Sequence, residues 1–96
     1  MYRYPEKLAA FLAGTLADYE IPALCEALGA QPDTALALAV LMPLLGHGKA
    51  FVREAAVLGL RQHIESDEVQ GALRAALRTE NTPEVRSALT CALRMA

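Results

Sequence analysis

Four arginines carry the chemistry that this sequence can most readily do. Arg53, Val57 and Arg61 are spaced i, i+4, i+8, and Arg86, Thr90 and Arg94 repeat the series thirty-three positions later. On helices, residues four apart are surface neighbours, so each series rises along one stripe. Two such stripes side by side would present planar guanidinium forks suited to carboxylates or phosphates. Glu54, Glu65 and Glu84 lie close enough in sequence to neutralise part of that charge.

Other reactive side chains do not converge. The two histidines are His47, flanked by glycines, and His63; the spacing reads the first as a turn residue and the second as an edge residue reaching for water. Cys25 and Cys91 lie far apart with no CxxC, which signals neither zinc nor a redox motif and fits two buried thiols. Gly46-His47-Gly48-Lys49 lacks the spacing and the preceding strand of a phosphate loop. No metal site, no cofactor and no catalytic constellation is therefore expected, and the chain does not read as an enzyme.

Composition sets the frame for these residues. The 96 residues are 54% hydrophobic with no Trp and 5% aromatics. Ala and Leu dominate, and both lose little on entering a helix, so the chain reads as all-α. Nine basic against eleven acidic residues give a net charge of −2, which argues against nucleic acid as the partner. The most apolar run, residues 35–45, is shorter than the ~20 residues a membrane crossing needs. No secretory leader is legible at the start, and a cytoplasmic location is the expectation.

Punctuation divides the chain into six helices. The first starts at Pro5 and carries Leu8, Phe11, Leu12, Thr15 and Leu16 at three- and four-residue steps up to Asp18. Pro22 opens the second and Gly29 closes it. Asp33 caps the third, which runs to Leu45 before Gly46-His47-Gly48. The fourth covers about 49–64, Ser66 caps the fifth at 67–79, and Thr82-Pro83-Glu84 starts the sixth. Short connections make consecutive helices antiparallel, so they should pair as hairpins. Arg74 and Arg78 fall on an outward face of the fifth helix, and Tyr2 and Tyr4 read as a flap over the first.

FVREAAVLGL at 51–60 is answered by EVRSALTCAL at 84–93. At the offset of 33, seven of nine aligned positions are identical: Ala39/Ala72, Leu44/Leu77, Val52/Val85, Arg53/Arg86, Ala55/Ala88, Leu60/Leu93 and Arg61/Arg94. Leu36/Val69 and Val40/Leu73 stay apolar. A worn third copy appears at an offset of 32, where Leu8, Leu12, Ala23 and Leu28 fall on Val40, Leu44, Ala55 and Leu60. The organisation read from this is one domain, residues 1–96, of about three repeats at 5–30, 33–64 and 66–96, the first degenerate.

KAFVREAAVLGL at 49–60 and TPEVRSALTCAL at 82–93 resemble HEAT-like repeats of the short bacterial kind. That resemblance implies an α–α superhelix in which an outer and an inner helix alternate, a proline bends the outer helix (here Pro43), and the inner helices line a concave binding face. It gives Arg53 and Arg86 a structural role at the turns. The acid common just before the second helix of such repeats is replaced by Lys49 and Thr82, so no Asp–Arg ladder carries over. HEAT-like hydroxylases that bind iron show His-Glu pairs, and none occurs here.

The functional expectation is a protein-interaction module holding an acidic or extended segment on Arg53, Val57, Arg61, Arg86, Thr90 and Arg94. A structural role is the alternative. The third helix is apolar on nearly every side, and a homodimer through helix 33–45 and the first hairpin would cover it. Nucleic-acid binding by the arginine rows ranks below both.

Overall fold

The computed structural model describes residues 4–96, with only the backbone of Tyr4; Tyr2 lies outside the described residues. Six α-helices form: α1 Tyr4–Leu12, α2 Ile21–Ala30, α3 Thr34–Leu44, α4 Ala50–Arg61, α5 Asp67–Thr79 and α6 Pro83–Leu93. A 3₁₀ turn, Asp18–Glu20, precedes α2. No strand occurs among the described residues.

Two expected caps form as the residue types require. Asp33 Oδ1 accepts the Leu36 N–H at 3.0 Å and Ser66 Oγ accepts the Val69 N–H at 3.4 Å. Thr82 makes no such bond, because its hydroxyl is taken by an arginine described below. The first helix is shorter than its periodicity suggested. Gly14 adopts a left-handed φ of 77°, with Gly14 N–H bonded to Phe11 O at 3.0 Å and Thr15 N–H to Ala10 O at 2.9 Å. That paired closure ends α1 at Leu12 and leaves Thr15 and Leu16 in the connection. Pro43 lies in the last turn of α3, where it supplies no N–H to the helix ladder.

Helices pair as α1/α2, α3/α4 and α5/α6, and α4 packs on both α2 and α6. The inner helices α2, α4 and α6 thus lie side by side, whereas α1, α3 and α5 do not pack extensively on one another. The molecule measures 33 × 26 × 17 Å. Its thinnest dimension is that of two helix layers at ~8–10 Å each.

The repeat seen in the sequence is a repeat of packing. Val52 and Val85 occupy like surroundings, 0% and 2% exposed, and Leu60, Leu73 and Leu89 are fully buried beside them. Leu24, Cys25 and Leu28 on α2 and Ala37 and Leu41 on α3 complete the centre. α3 is covered on one side only: Ala37, Val40, Leu41 and Leu44 are buried, while Met42 is 49% exposed.

Closest approach falls between α2 and α4. A Cβ at Gly59 would lie 2.7 Å from Cys25 O and 2.8 Å from Leu41 Cδ1. Backbone meets backbone there, so a side chain can be fitted only by prising the helices apart. Gly59→Ala should therefore cost about 1–3 kcal/mol in urea denaturation. Gly71→Ala on α5, where a Cβ would meet nothing within 4 Å, should add about 0.5–1 kcal/mol. Equal effects would mean that the contact at Gly59 does not constrain the stack.

Candidate functional site

Arg53 is committed to holding hairpins together. Its side chain is 18% exposed and bonded on every nitrogen. Nη1 donates to His47 O at 2.8 Å in its own hairpin. Nε and Nη2 donate to the Glu80 carboxylate at 2.8 and 3.2 Å, and Nη2 also reaches Thr82 Oγ1 at 3.0 Å, both in the next hairpin. An acid–arginine link between repeats therefore exists although the sequence pattern did not carry one. The acid sits two residues ahead of Thr82, at Glu80.

Glu80 is as constrained as its partner, with a side chain only 6% exposed. Burial pushes its carboxyl up. The Arg53 hydrogen bonds, the Thr82 backbone N–H at 3.0 Å, the Arg53 charge and the Thr82 hydroxyl outweigh burial and hold it below the ordinary glutamate range. By contrast Lys49 Nζ pairs with Asp18 at 3.2 Å with both side chains largely wet. Pairs of that second kind contribute ~0–1 kcal/mol, whereas leaving a buried charge unpartnered costs several times more. Of these two ion pairs, the Arg53–Glu80 link is the one that matters to the fold.

The six residues of the two sequence stripes separate in space. Val57 is fully buried in the core and has no surface to offer. Arg61 is half-buried at the end of α4. Arg86 and Thr90 are exposed on α6, and Arg94 is exposed just past its end. Arg86 Nη1 donates to Leu77 O at 3.0 Å and Glu80 O at 2.8 Å, and Thr90 Oγ1 donates to Arg86 O at 2.9 Å. The reason is rotation: a four-residue step advances about 40° around a helix, so Arg53 and Arg61 diverge by about 80°.

On the inner layer a groove of 550 Å³ runs between α2 and α4. Pro22, Glu26 and Ala30 form one wall, and Ala55, Leu58, Gly59, Arg61 and Gln62 the other. Leu58 is 41% exposed, and Phe51, two turns earlier on the same side of α4, is 45% exposed. Of the stripe residues only Arg61 reaches this groove. Leu58, Glu26 and Pro22 were not singled out from the sequence, although Phe51, Leu58 and Gln62 recur at helical spacing and could have marked the face.

Two further side chains depart from expectation. His63 is buried rather than reaching for water: Nε2 donates to Leu28 O at 3.1 Å, so Nδ1 accepts from the Thr34 hydroxyl at 2.8 Å. It staples the end of α2 to the start of α3. Cys91 is exposed, and only Cys25 is the expected buried thiol; burial pushes it up to about 12, which keeps it protonated and unreactive. His47 is a turn residue whose Nδ1 accepts the Lys49 N–H at 3.0 Å. No group of three or more potential metal ligands occurs among the described residues, and none of their helices is long and apolar enough to cross a membrane.

The family model for HEAT repeats matches residues 6–94 of the chain. No curated protein and no solved structure matches it.

Glu80→Gln removes the charge and leaves the shape, so at neutral pH it should destabilise the fold by about 1–3 kcal/mol. Because the folded carboxyl binds its proton less readily than the unfolded one, its contribution is complete above the ordinary value of 4.5 and fades as pH falls through the folded value. Chemical denaturation of the two proteins should accordingly differ at pH 7 and converge in acid. A difference that persists unchanged at pH 3 would contradict the linkage.

Proposed function

The chain belongs to the HEAT-repeat family, and from that premise we propose that it is a protein-interaction module holding an extended, partly acidic segment against the inner face of its stack. HEAT repeats serve generally as scaffolds for protein contacts rather than as enzymes. The observation that carries the reading here is the groove between α2 and α4, which Leu58, Ala55 and Pro22 line together with Arg61. An extended strand can lay alternate side chains into such a floor while an acidic one meets Arg61. Arg94, just past the end of α6, offers a second guanidinium at the equivalent end of the neighbouring inner helix. Glu26 on the opposite wall favours a neutral or basic side chain there.

A second reading is self-association through α3 and the first hairpin. It is supported by the absence of any charged residue in Thr34–Leu44 and by the exposure of Met42 at 49% and Leu12 at 70%. Such a dimer would cover apolar surface that the hairpins leave wet.

Reversal of Arg61 and Arg94 to Glu together should abolish recovery of partners from the native host while leaving the helical signal and melting point near those of the parent. Recovery of the same partners at the same yield would remove the inner face from consideration. Sedimentation equilibrium tests the other reading: Met42→Glu should dissociate any dimer, and a parent chain monomeric at high concentration would end that reading.

A further inference from the structure

Two opposite charges line the inner groove without a partner. Glu26 on α2 and Arg61 on α4 both border the 550 Å³ cavity. Neither makes an ion pair or a side-chain hydrogen bond among the described residues. Glu26 is exposed and Arg61 half-buried. Charges that serve the fold are paired, as in Arg53–Glu80 and Lys49–Asp18 near the start of α4. The Arg61 guanidinium keeps all its donors, and the Glu26 carboxylate all its acceptor sites, for an occupant.

The register of the two helices sets how such an occupant meets both charges. A Cβ at Gly59 would lie 2.7 Å from Cys25 O, and a Cβ at Gly29 would lie 3.1 Å from Gln62 Cγ, so α2 and α4 run parallel. Glu26 therefore stands about level with Gly59, and Arg61 stands roughly 3 Å further along the axis. An extended chain advances about 3.3 Å per residue and sends successive side chains to opposite sides. Adjacent residues of an extended occupant thus reach Glu26 on one wall and Arg61 on the other. Towards the helix starts the walls turn apolar. Pro22 precedes Glu26 by about 6 Å, close to the ~7 Å repeat along one side of a strand. Ala55 and Leu58 bracket the matching place on the α4 wall, and Phe51, 45% exposed, continues that side.

We propose that the groove takes an extended peptide carrying a basic and an acidic residue side by side, the base opposite Glu26 and the acid opposite Arg61, with a short apolar run continuing from the base towards Pro22 and Phe51. This rests on the reading of the inner groove as a peptide site and adds its charge order. The exchanged order sets like charges together on both walls, which penalises the wrong sequence. A phosphate backbone repeats a single sign of charge and fits less well, because it sets that charge against Glu26.

The test uses short fluorescent peptides of one composition, an apolar run with an adjacent Lys and Glu. In the first peptide Lys adjoins the run and Glu is outermost; in the second the two are exchanged. Each is made in both chain directions, because the geometry fixes the spacing in either. In one direction the first peptide should bind the parent chain roughly tenfold more tightly than the second, the size of one charged contact. The doubly exchanged chain, Glu26→Lys with Arg61→Glu, should reverse that preference. Neither side chain is bonded to the rest of the protein, so its melting curve should stay in place. Equal affinities in both directions, a preference that the exchanged chain retains, or no binding at millimolar peptide would overturn the inference. Backbone amide shifts separate that failure from failure of the broader reading. Equal affinities with shifts at Ala55 and Leu58 remove the charge order and keep the groove as a peptide site. Unmoved amides, with partner capture undiminished by the Arg61 and Arg94 reversals, remove both.

Discussion

No hairpin in this molecule can bury its apolar face by itself, and α4 is the element through which all three are made to bury one another. It contacts its own outer helix α3 and both neighbouring inner helices. Two features fix those contacts at opposite sides of it. Towards α2 the approach is set by the bare backbone of Gly59 against Cys25. Towards α6 it is set by Arg53 reaching over to Glu80 and Thr82. The first is a limit on distance and the second a limit on rotation and register, because a guanidinium bonded on all its nitrogens tolerates little sliding. Burial of Val57 and Leu60 between these two limits supplies the non-directional part of the stabilisation.

That division explains which parts of the architecture could be read in advance. Apolar spacing and turn residues report the average surroundings of each side chain, and they located the six helices, the caps at Asp33 and Ser66 and the 33-residue repeat. They failed where a backbone group was the deciding partner. Periodicity ran on past Leu12 because Thr15 and Leu16 fit the apolar stripe, but Gly14 could take a left-handed conformation and closed the helix. His63 looked like an edge residue because its partners, the Leu28 carbonyl and the Thr34 hydroxyl, are remote in sequence and one of them is main chain. Glu80 was passed over because it lies two residues from the position where the family pattern places its acid.

For the binding surface, the stripe at i, i+4, i+8 mixed two functions that the helix rotates apart. Arg53 belongs to the junction between hairpins, Val57 to the core, and Arg61 to the inner groove. Their counterparts Arg86 and Thr90 are exposed on α6. Sequence repetition preserved the residues at both places, so repetition alone could not tell a covered position from an open one. The groove residues Leu58 and Glu26 have no matching pair in the register, which is why a search for echoes missed them.

The two cysteines differ in a way that reaches beyond packing. Cys91 stands in solvent, while Cys25 is sealed under the Gly59 crossing with its thiol pushed up to about 12. An alkylating reagent meets the first at once and the second only when α2 lifts away from α4. With Cys91 replaced by serine, the rate of labelling at Cys25 would time the transient opening of the first hairpin, using a clock the chain already contains.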